Sequence, residues 1–304
     1  MRVAVIGATG VIGRSVVPTL LEAGHDVVGL TRTPEKAGLL TRLGAEPSAA
    51  TSMDHQELVG LFDGADAVCN FATCVPVGLA ALRPHAWAAN DRLRTVGVRR
   101  VVEAARDARV RRIVQESVSF LYADQGDLVV TEESPVAITP ATEPASVGES
   151  VVQGYSCGSR TGVVLRFGTL VADDPGSRLR LRSAGPGHAL GPGSPDGWAH
   201  VVHVEDVGPA VLAALGVPSG IYNVGAEPVR RADLMAGLAA GAGRDGVDFV
   251  GPLLRRLGGV RLEPLGRSLR VSSQLFTSTS GWTPARVRFD ASWFSAAQPS
   301  EALR

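Results

Sequence analysis

The chain alternates short, unbroken apolar runs with longer stretches in which apolar residues recur every three or four positions. Val3-Ala4-Val5-Ile6 is the kind of run that a strand buried on both faces requires. Val11, Ile12, Val16, Val17, Leu20 and Leu21 follow at helical spacing, and Gly24 supplies a C-terminal stop. The alternation continues, with strands predicted over residues 26–30, 45–49, 67–72, 112–115, 162–166 and 220–224. Helices are predicted over residues 34–43, 54–62, 87–108, 143–155, 231–242 and 272–280, with another ending at Leu215. Leu93, Val96, Val101, Val102 and Ala105 mark one face of the longest of these.

Strands that alternate with helices imply an α/β fold, a doubly wound parallel Rossmann sheet with right-handed crossovers and ligand at the carboxyl ends of the strands. From about Phe167 the texture turns to loops rich in Gly, Pro and Arg, and core signals return at 199–206. The expected division is a dinucleotide-binding domain over 1–166, its sheet completed by residues 200–225. Residues 167–199 and 226–304 would then make a smaller, discontinuous C-terminal substrate lobe.

The first strand ends in Gly7-Ala8-Thr9-Gly10-Val11-Ile12-Gly13 and the first helix begins there. In that context Gly7 makes the tight turn, Gly10 lets a pyrophosphate approach the backbone and Gly13 lets helix and strand pack closely. The phosphates would sit on the helix N-terminus, where free N–H groups and the dipole favour anions. The second strand runs into Thr31-Arg32-Thr33, where an NAD-binding unit usually carries an acid for the ribose diol. A guanidinium there can grip a 2′-phosphate, with Arg14 and Lys36 adding charge, so NADP(H) is expected ahead of NAD(H). An ordinary solvated arginine is the competing reading. The expected cofactor contacts are Gly7, Thr9, Gly10, Val11, Ile12 and Gly13, then Thr31 and Arg32, then Phe71, Ala72, Thr73 and Ser117 at the ends of later strands.

Composition narrows the partners. The 304 residues carry 30 basic and 30 acidic side chains, so no global field points to nucleic acid, and no apolar run reaches membrane-spanning length. A cytoplasmic protein acting on a small molecule is expected. Cys69, Cys74 and Cys157 show no metal-ligand spacing, and no metal is expected. Lys36 is the single lysine against 29 arginines. Arginine stays protonated and cannot be tuned as lysine can.

The glycine loop, Thr31-Arg32, Phe71-Ala72-Thr73, the helix around Asn90, the strand ending at Ser117, Leu165-Arg166, His203-Val204-Glu205-Asp206-Val207, Tyr222-Asn223-Val224-Gly225 and Gly281-Trp282-Thr283-Pro284 together resemble the extended short-chain dehydrogenase/reductases. The group they resemble is the NAD(P)-dependent epimerases and dehydratases. That resemblance implies a tyrosine four residues before a lysine on the 143–155 helix, and a serine or threonine after the fifth strand. Counted back from Glu149, those two positions fall on Ala141 and Ala145, and the usual hydroxyl position falls on Val118, between Ser117 and Ser119. The resemblance also implies a homodimer through two long helices.

Ser117 and His188 are therefore the candidate catalytic residues, with His200, Glu143, Glu116 and Tyr122 as further groups near the cleft. Tyr155, His203 and Asp206 are read as structural. Arg178-Leu179-Arg180-Leu181-Arg182 is read as a half-exposed strand ahead of an anion site. The function expected first is an NADP(H)-dependent oxidoreductase or epimerase of atypical mechanism, acting on a carbonyl or hydroxyl compound in secondary metabolism. A non-redox isomerase, dehydratase or cyclase and a non-enzymatic NADP(H) sensor are the alternatives.

Overall fold

The structure is a computed structural model, and it describes residues 1–48, 50, 52–76, 80–81, 83–171, 188–241, 243–249 and 263–294. Seven parallel strands form the central sheet: β1 (Arg2–Ile6), β2 (Asp26–Gly29), β3 (Glu46–Pro47), β4 (Ala67–Asn70), β5 (Arg112–Val118), β7 (Thr161–Phe167) and β12 (Gly220–Val224). Their order is β12-β7-β5-β4-β1-β2-β3. The order reverses between β1 and β4, which opens a crevice above their carboxyl ends where such sheets bind ligands.

Both faces of the sheet are covered. On one side α1 (Val11–Glu22) and α7 (Val204–Ala214) bury Val16, Val17, Leu20, Val207 and Val211 against Val3, Val5, Val114 and Leu165. On the other, α3 (His55–Phe62), α5 (Val98–Asp107) and α6 (Glu143–Gln153) bury Leu58, Phe62, Val101, Val102 and Val152 against Ala4, Ile6, Val68 and Ile113. Alternate strand residues thus feed separate cores, as the unbroken apolar runs require. The two remaining Rossmann helices are α2 (Pro34–Leu43) and the short α4 (Ala88–Arg92).

Three elements differ from expectation. The third strand shrinks to Glu46–Pro47, where Pro47 has no N–H to donate and sits on the sheet edge. The predicted 87–108 helix is divided: α4 runs into a π turn, Leu93–Gly97, before α5. There the α6 residue Gly148 meets the Arg94 carbonyl so closely that a Cβ would sit 2.9 Å from it. The fifth strand extends to Val118, beyond its apolar run, because β7 pairs with it as far as Val118–Phe167.

The described parts of the C-terminal region form two-stranded pairs: β8 (Thr169–Val171) with β11 (Val201–His203), β9 (His188–Gly191) with β14 (Gly246–Phe249), and β10 (Trp198–Ala199) with β13 (Val229–Arg230). His203 caps α7, its Nδ1 accepting from the Glu205 N–H, and Asp206 accepts from the Ala285 and Arg286 N–H groups. Both hold the fold together. Arg178–Arg182 lie outside the described residues.

Candidate active site

At the carboxyl end of β1 the backbone turns through Gly7 at φ +82°, and a Cβ there would stand 2.8 Å from the Phe71 carbonyl group. Gly10 donates to the Gly7 carbonyl (2.9 Å) and is the N-cap of α1. At Gly13 a Cβ would overlap the backbone of Gly7 and Ala8, so helix and loop touch there. No acidic residue occupies the first turn of α1, and no side chain caps it. The helix therefore presents free N–H groups and an unneutralised dipole beneath the loop. Thr9 is held by Arg14, whose Nε donates to its carbonyl (3.2 Å), while Val11 is exposed and Ile12 is buried under the turn. This cradle fits a dinucleotide pyrophosphate.

One strand over, Thr31 is buried and Arg32 is exposed at the end of β2. Arg32 has no ion-pair partner among the described residues. Thr33 caps α2, its hydroxyl accepting from the Lys36 N–H. Arg32 and Lys36 thus stand exposed within one turn of each other, with the exposed Glu35 between them. Across the crevice, Phe71 is buried, and the Ala72 N–H donates to Asn70 Oδ1 (3.3 Å) while Thr73 is exposed. These residues come together at one edge of the sheet, as their spacing implies.

Ser117 is placed differently from expectation. Its hydroxyl is buried and donates to Glu149 Oε1 at 2.6 Å. Glu149 is in turn gripped by Arg166, through Nε at 2.8 Å and Nη2 at 2.6 Å. Burial opposes the charge on Arg166, but the Glu149 bonds outweigh it and hold the proton more tightly than usual. The guanidinium lies 4.7 Å from the centre of the Tyr122 ring. A strand-end serine inside such a network braces β5 against α6. His188 opens β9, and its side chain lies outside the described residues.

No tyrosine hydroxyl is available to donate a proton in the crevice. Tyr122 donates to Asn223 Oδ1 (2.8 Å), Tyr155 to the Val110 carbonyl and Tyr222 to the Pro218 carbonyl (3.1 Å), and these are the three tyrosines of the chain. Burial raises the pKa of all three phenols. Ala141 and Ala145 stand at the start of α6, and the single lysine is far along the chain at the head of α2. Cys69 is fully buried with its thiol pushed up to about 12, so it is no nucleophile. Glu132 is half-buried and its pKa is raised by burial, with Oε1 accepting from the Asn223 N–H (2.8 Å).

Glu116 is one of the further groups near the cleft, and nothing in the sequence marks Arg94 as its partner. Arg94 Nη2 donates to Glu116 Oε1 at 2.7 Å, with 9% and 8% of the two side chains exposed. A charged residue with no apolar periodicity in a helix gives no sign of burial until its partner strand is placed. Among the described residues no cluster of His, Cys, Asp and Glu could hold a metal ion, and no helix is long and apolar enough to cross a membrane.

Comparison with known proteins agrees with this geometry. Residues 7–215 match the family model described as NAD(P)H-binding. The 3-diazoavenalumate denitrifying reductase of Streptomyces is 34% identical over 242 residues, covering 74% of this chain and 75% of that one. A ketoreductase of Stigmatella aurantiaca, which acts on 4-hydroxy-2-methyl-3-oxo-4-farnesyl-3,4-dihydroquinoline-1-oxide, is 31% identical over 170 residues, covering 54% of this chain and 49% of that one. The UDP-glucuronic acid 4-epimerase of Bacillus cereus, solved with UDP-glucuronic acid and NAD, superposes with a TM-score of 0.75 at 19% identity over 96% of each chain. The UDP-glucose 4-epimerase of Thermotoga maritima gives 0.74 at 18% identity over 94% of each, and both show a shared fold. The chain belongs to the NAD(P)H-binding family.

Proposed function

We propose that this chain is an NADP(H)-dependent reductase that delivers hydride to an electrophilic carbon or nitrogen of a small molecule without a tyrosine proton donor. The observation that carries the reading is the pairing of an intact glycine cradle with three tyrosine hydroxyls that are all engaged elsewhere. A bound nicotinamide supplies or accepts the hydride. The α1 N-terminus and the Gly7–Gly13 backbone hold the pyrophosphate, and Arg32 with Lys36 takes the 2′-phosphate.

Without a phenol the protein's part is orientation and exclusion of water, and the proton reaches the product from solvent or from the substrate itself. The two curated relatives support this class, since one is named for reducing a diazo compound and the other a ketone. A carbonyl activated by its own neighbouring hydroxyl, or a diazo-type group, asks least of a protein acid. Secondary metabolism is the proposed setting.

The test is calorimetric titration of the purified protein with NADPH and NADH, followed by nicotinamide absorbance with candidate ketones and diazo compounds. Selective NADPH binding, lost on Arg32→Ala by tenfold or more with NADH little changed, is the expected result, since a charged hydrogen bond contributes about 1.5–3 kcal/mol. Equal weakening of both cofactors sinks the 2′-phosphate assignment, and no binding of either sinks the reductase reading.

A further inference from the structure

The segment that leaves β5 is held from outside the sheet. Ser119–Leu121 make a single 3₁₀ turn at the carboxyl end of the strand, and the Phe120 and Tyr122 carbonyls both accept from Arg267 Nη1, at 2.9 Å each. The other side of the same guanidinium is gripped by Glu263, through Nε at 3.0 Å and Nη2 at 2.7 Å, and 4% of the Arg267 side chain is exposed. The next residue repeats the link. The Ser268 N–H donates to Asp124 Oδ2 (3.1 Å) and its hydroxyl to the Gly126 carbonyl (2.6 Å), while the Gln125 N–H donates to the Ser268 carbonyl (3.3 Å). Behind this strap the buried Arg231 donates from Nη2 to the Arg267 carbonyl and from Nη1 to the Gly266 and Ser194 carbonyls. Residues 119–126 follow the sheet in sequence, yet these bonds fasten them to residues 263–268.

A guanidinium suits this place by its shape. One fork serves two carbonyls two residues apart and a bidentate carboxylate at once, which an ammonium cannot do. Its charge brings no comparable gain in stability, because taking a guanidinium out of water costs about as much as its partners return, and a well-packed apolar side chain holds a fold as firmly. What the buried arginine secures is one arrangement of the turn against the strap. That turn stands at the far end of the crevice: Arg32 marks the adenosine side at β2 and α1 lies beneath the pyrophosphate, so the crevice left for the reacting half is the part above β4 and β5.

We propose that Arg267 is a positioning residue for the reacting end of the crevice: through it the C-terminal region, and not the Rossmann helices, sets where the turn after β5 stands. Arg267 touches no ligand. It acts by holding the Phe120 and Tyr122 backbone, so that residues 263–268 fix the wall beside which hydride is exchanged. The inference rests on the reductase reading given above.

The experiment compares Arg267→Lys and Arg267→Met with the wild type by amide hydrogen exchange, by ADP titration and by the nicotinamide fluorescence of bound NADPH. The amides of residues 119–126 exchange about tenfold faster or more in both variants, while those of β1 and β4 keep their rates, because the opening is local. ADP affinity stays within about twofold, since the adenosine and pyrophosphate side is distant from the turn. The bound nicotinamide loses emission toward that of NADPH in water, less in Arg267→Lys, which keeps a charge beside Glu263, than in Arg267→Met. Faster exchange with unchanged emission shows a tie that only supports the fold and overturns the proposal, as does unchanged exchange over residues 119–126. Should neither variant fold, Ser268→Ala, which cuts the bond to the Gly126 carbonyl, carries the same comparison. A wild type that binds no dinucleotide overturns the functional reading and the proposal built on it, a result set apart from any change confined to the variants.

Discussion

His200 makes the stability of this protein sensitive to acid. Its imidazole is fully buried between β10 and β11, and both ring nitrogens lack hydrogen-bond partners. Gly225 packs on Nε2 so tightly that a Cβ there would overlap it, and a Cβ on Gly168 would come within 2.8 Å of the His200 carbonyl carbon. Burial alone drives the pKa from 6.5 down to about 3. A base whose pKa is lower folded than unfolded leaves the native state short of a proton below the unfolded value. The stability is complete above 6.5 and is lost progressively as the pH falls toward about 3. At about 1.4 kcal/mol per pH unit, moving from about pH 7.5 to about pH 5 costs roughly 2 kcal/mol. His200→Leu removes both the titration and the two unpaired nitrogens, so it should be neutral or stabilising near neutrality. Urea unfolding of both proteins across that pH range measures the difference directly. His203, whose pKa burial also lowers, titrates in both and cancels. Unfolding free energies that keep a constant gap between the two proteins from about pH 7.5 to about pH 5 would refute the reasoning.

Three further outcomes are expected. Gly13→Ala puts a methyl group into the Gly7 and Ala8 backbone, so it should cost about 1–3 kcal/mol in thermal or urea unfolding and weaken every dinucleotide together, unlike Arg32→Ala. Glu149→Ala strands the buried Arg166 guanidinium and releases the Ser117 hydroxyl, and should destabilise by about 3–5 kcal/mol in urea unfolding; a loss below about 1 kcal/mol would mean water replaces the carboxylate. Tyr155→Phe removes the hydroxyl bonded to the Val110 carbonyl and should lower stability by about 1–3 kcal/mol while leaving NADPH affinity and turnover unchanged, whereas lost turnover would return Tyr155 to the active site.

The glycine cradle was legible because its signals are local. A strand run, three glycines and a helical period act within a dozen residues, and Gly7 and Gly13 are forced by backbone contacts that a Cβ would violate. The alternation of strands and helices, and with it the parallel sheet, followed from the same periodicities. What could not be read was set across the sheet. The π turn depends on α6 presenting Gly148 to the Arg94 carbonyl, and the extension of β5 depends on pairing with β7. Ser117 looked open because it ends a strand, and only the placement of α6 brings Glu149 to it.

The same distinction separates two kinds of buried charge at this sheet edge. Glu149 and Arg166 satisfy one another through two hydrogen bonds, and Ser117 adds a third to the carboxylate, so both carboxylate oxygens of that cluster have a donor. Arg94 and Glu116 are as deeply buried but share one bond, and a carboxylate oxygen remains bare. Burial is equal in the two pairs, so burial does not decide which is structural; hydrogen-bond completeness does. A complete network rigidifies the scaffold, while an incomplete one retains a desolvation cost that only another donor can offset. The Arg94–Glu116 pair, and not the Glu149–Arg166 cluster beside it, is therefore where this end of β5 carries an unmet hydrogen-bond demand.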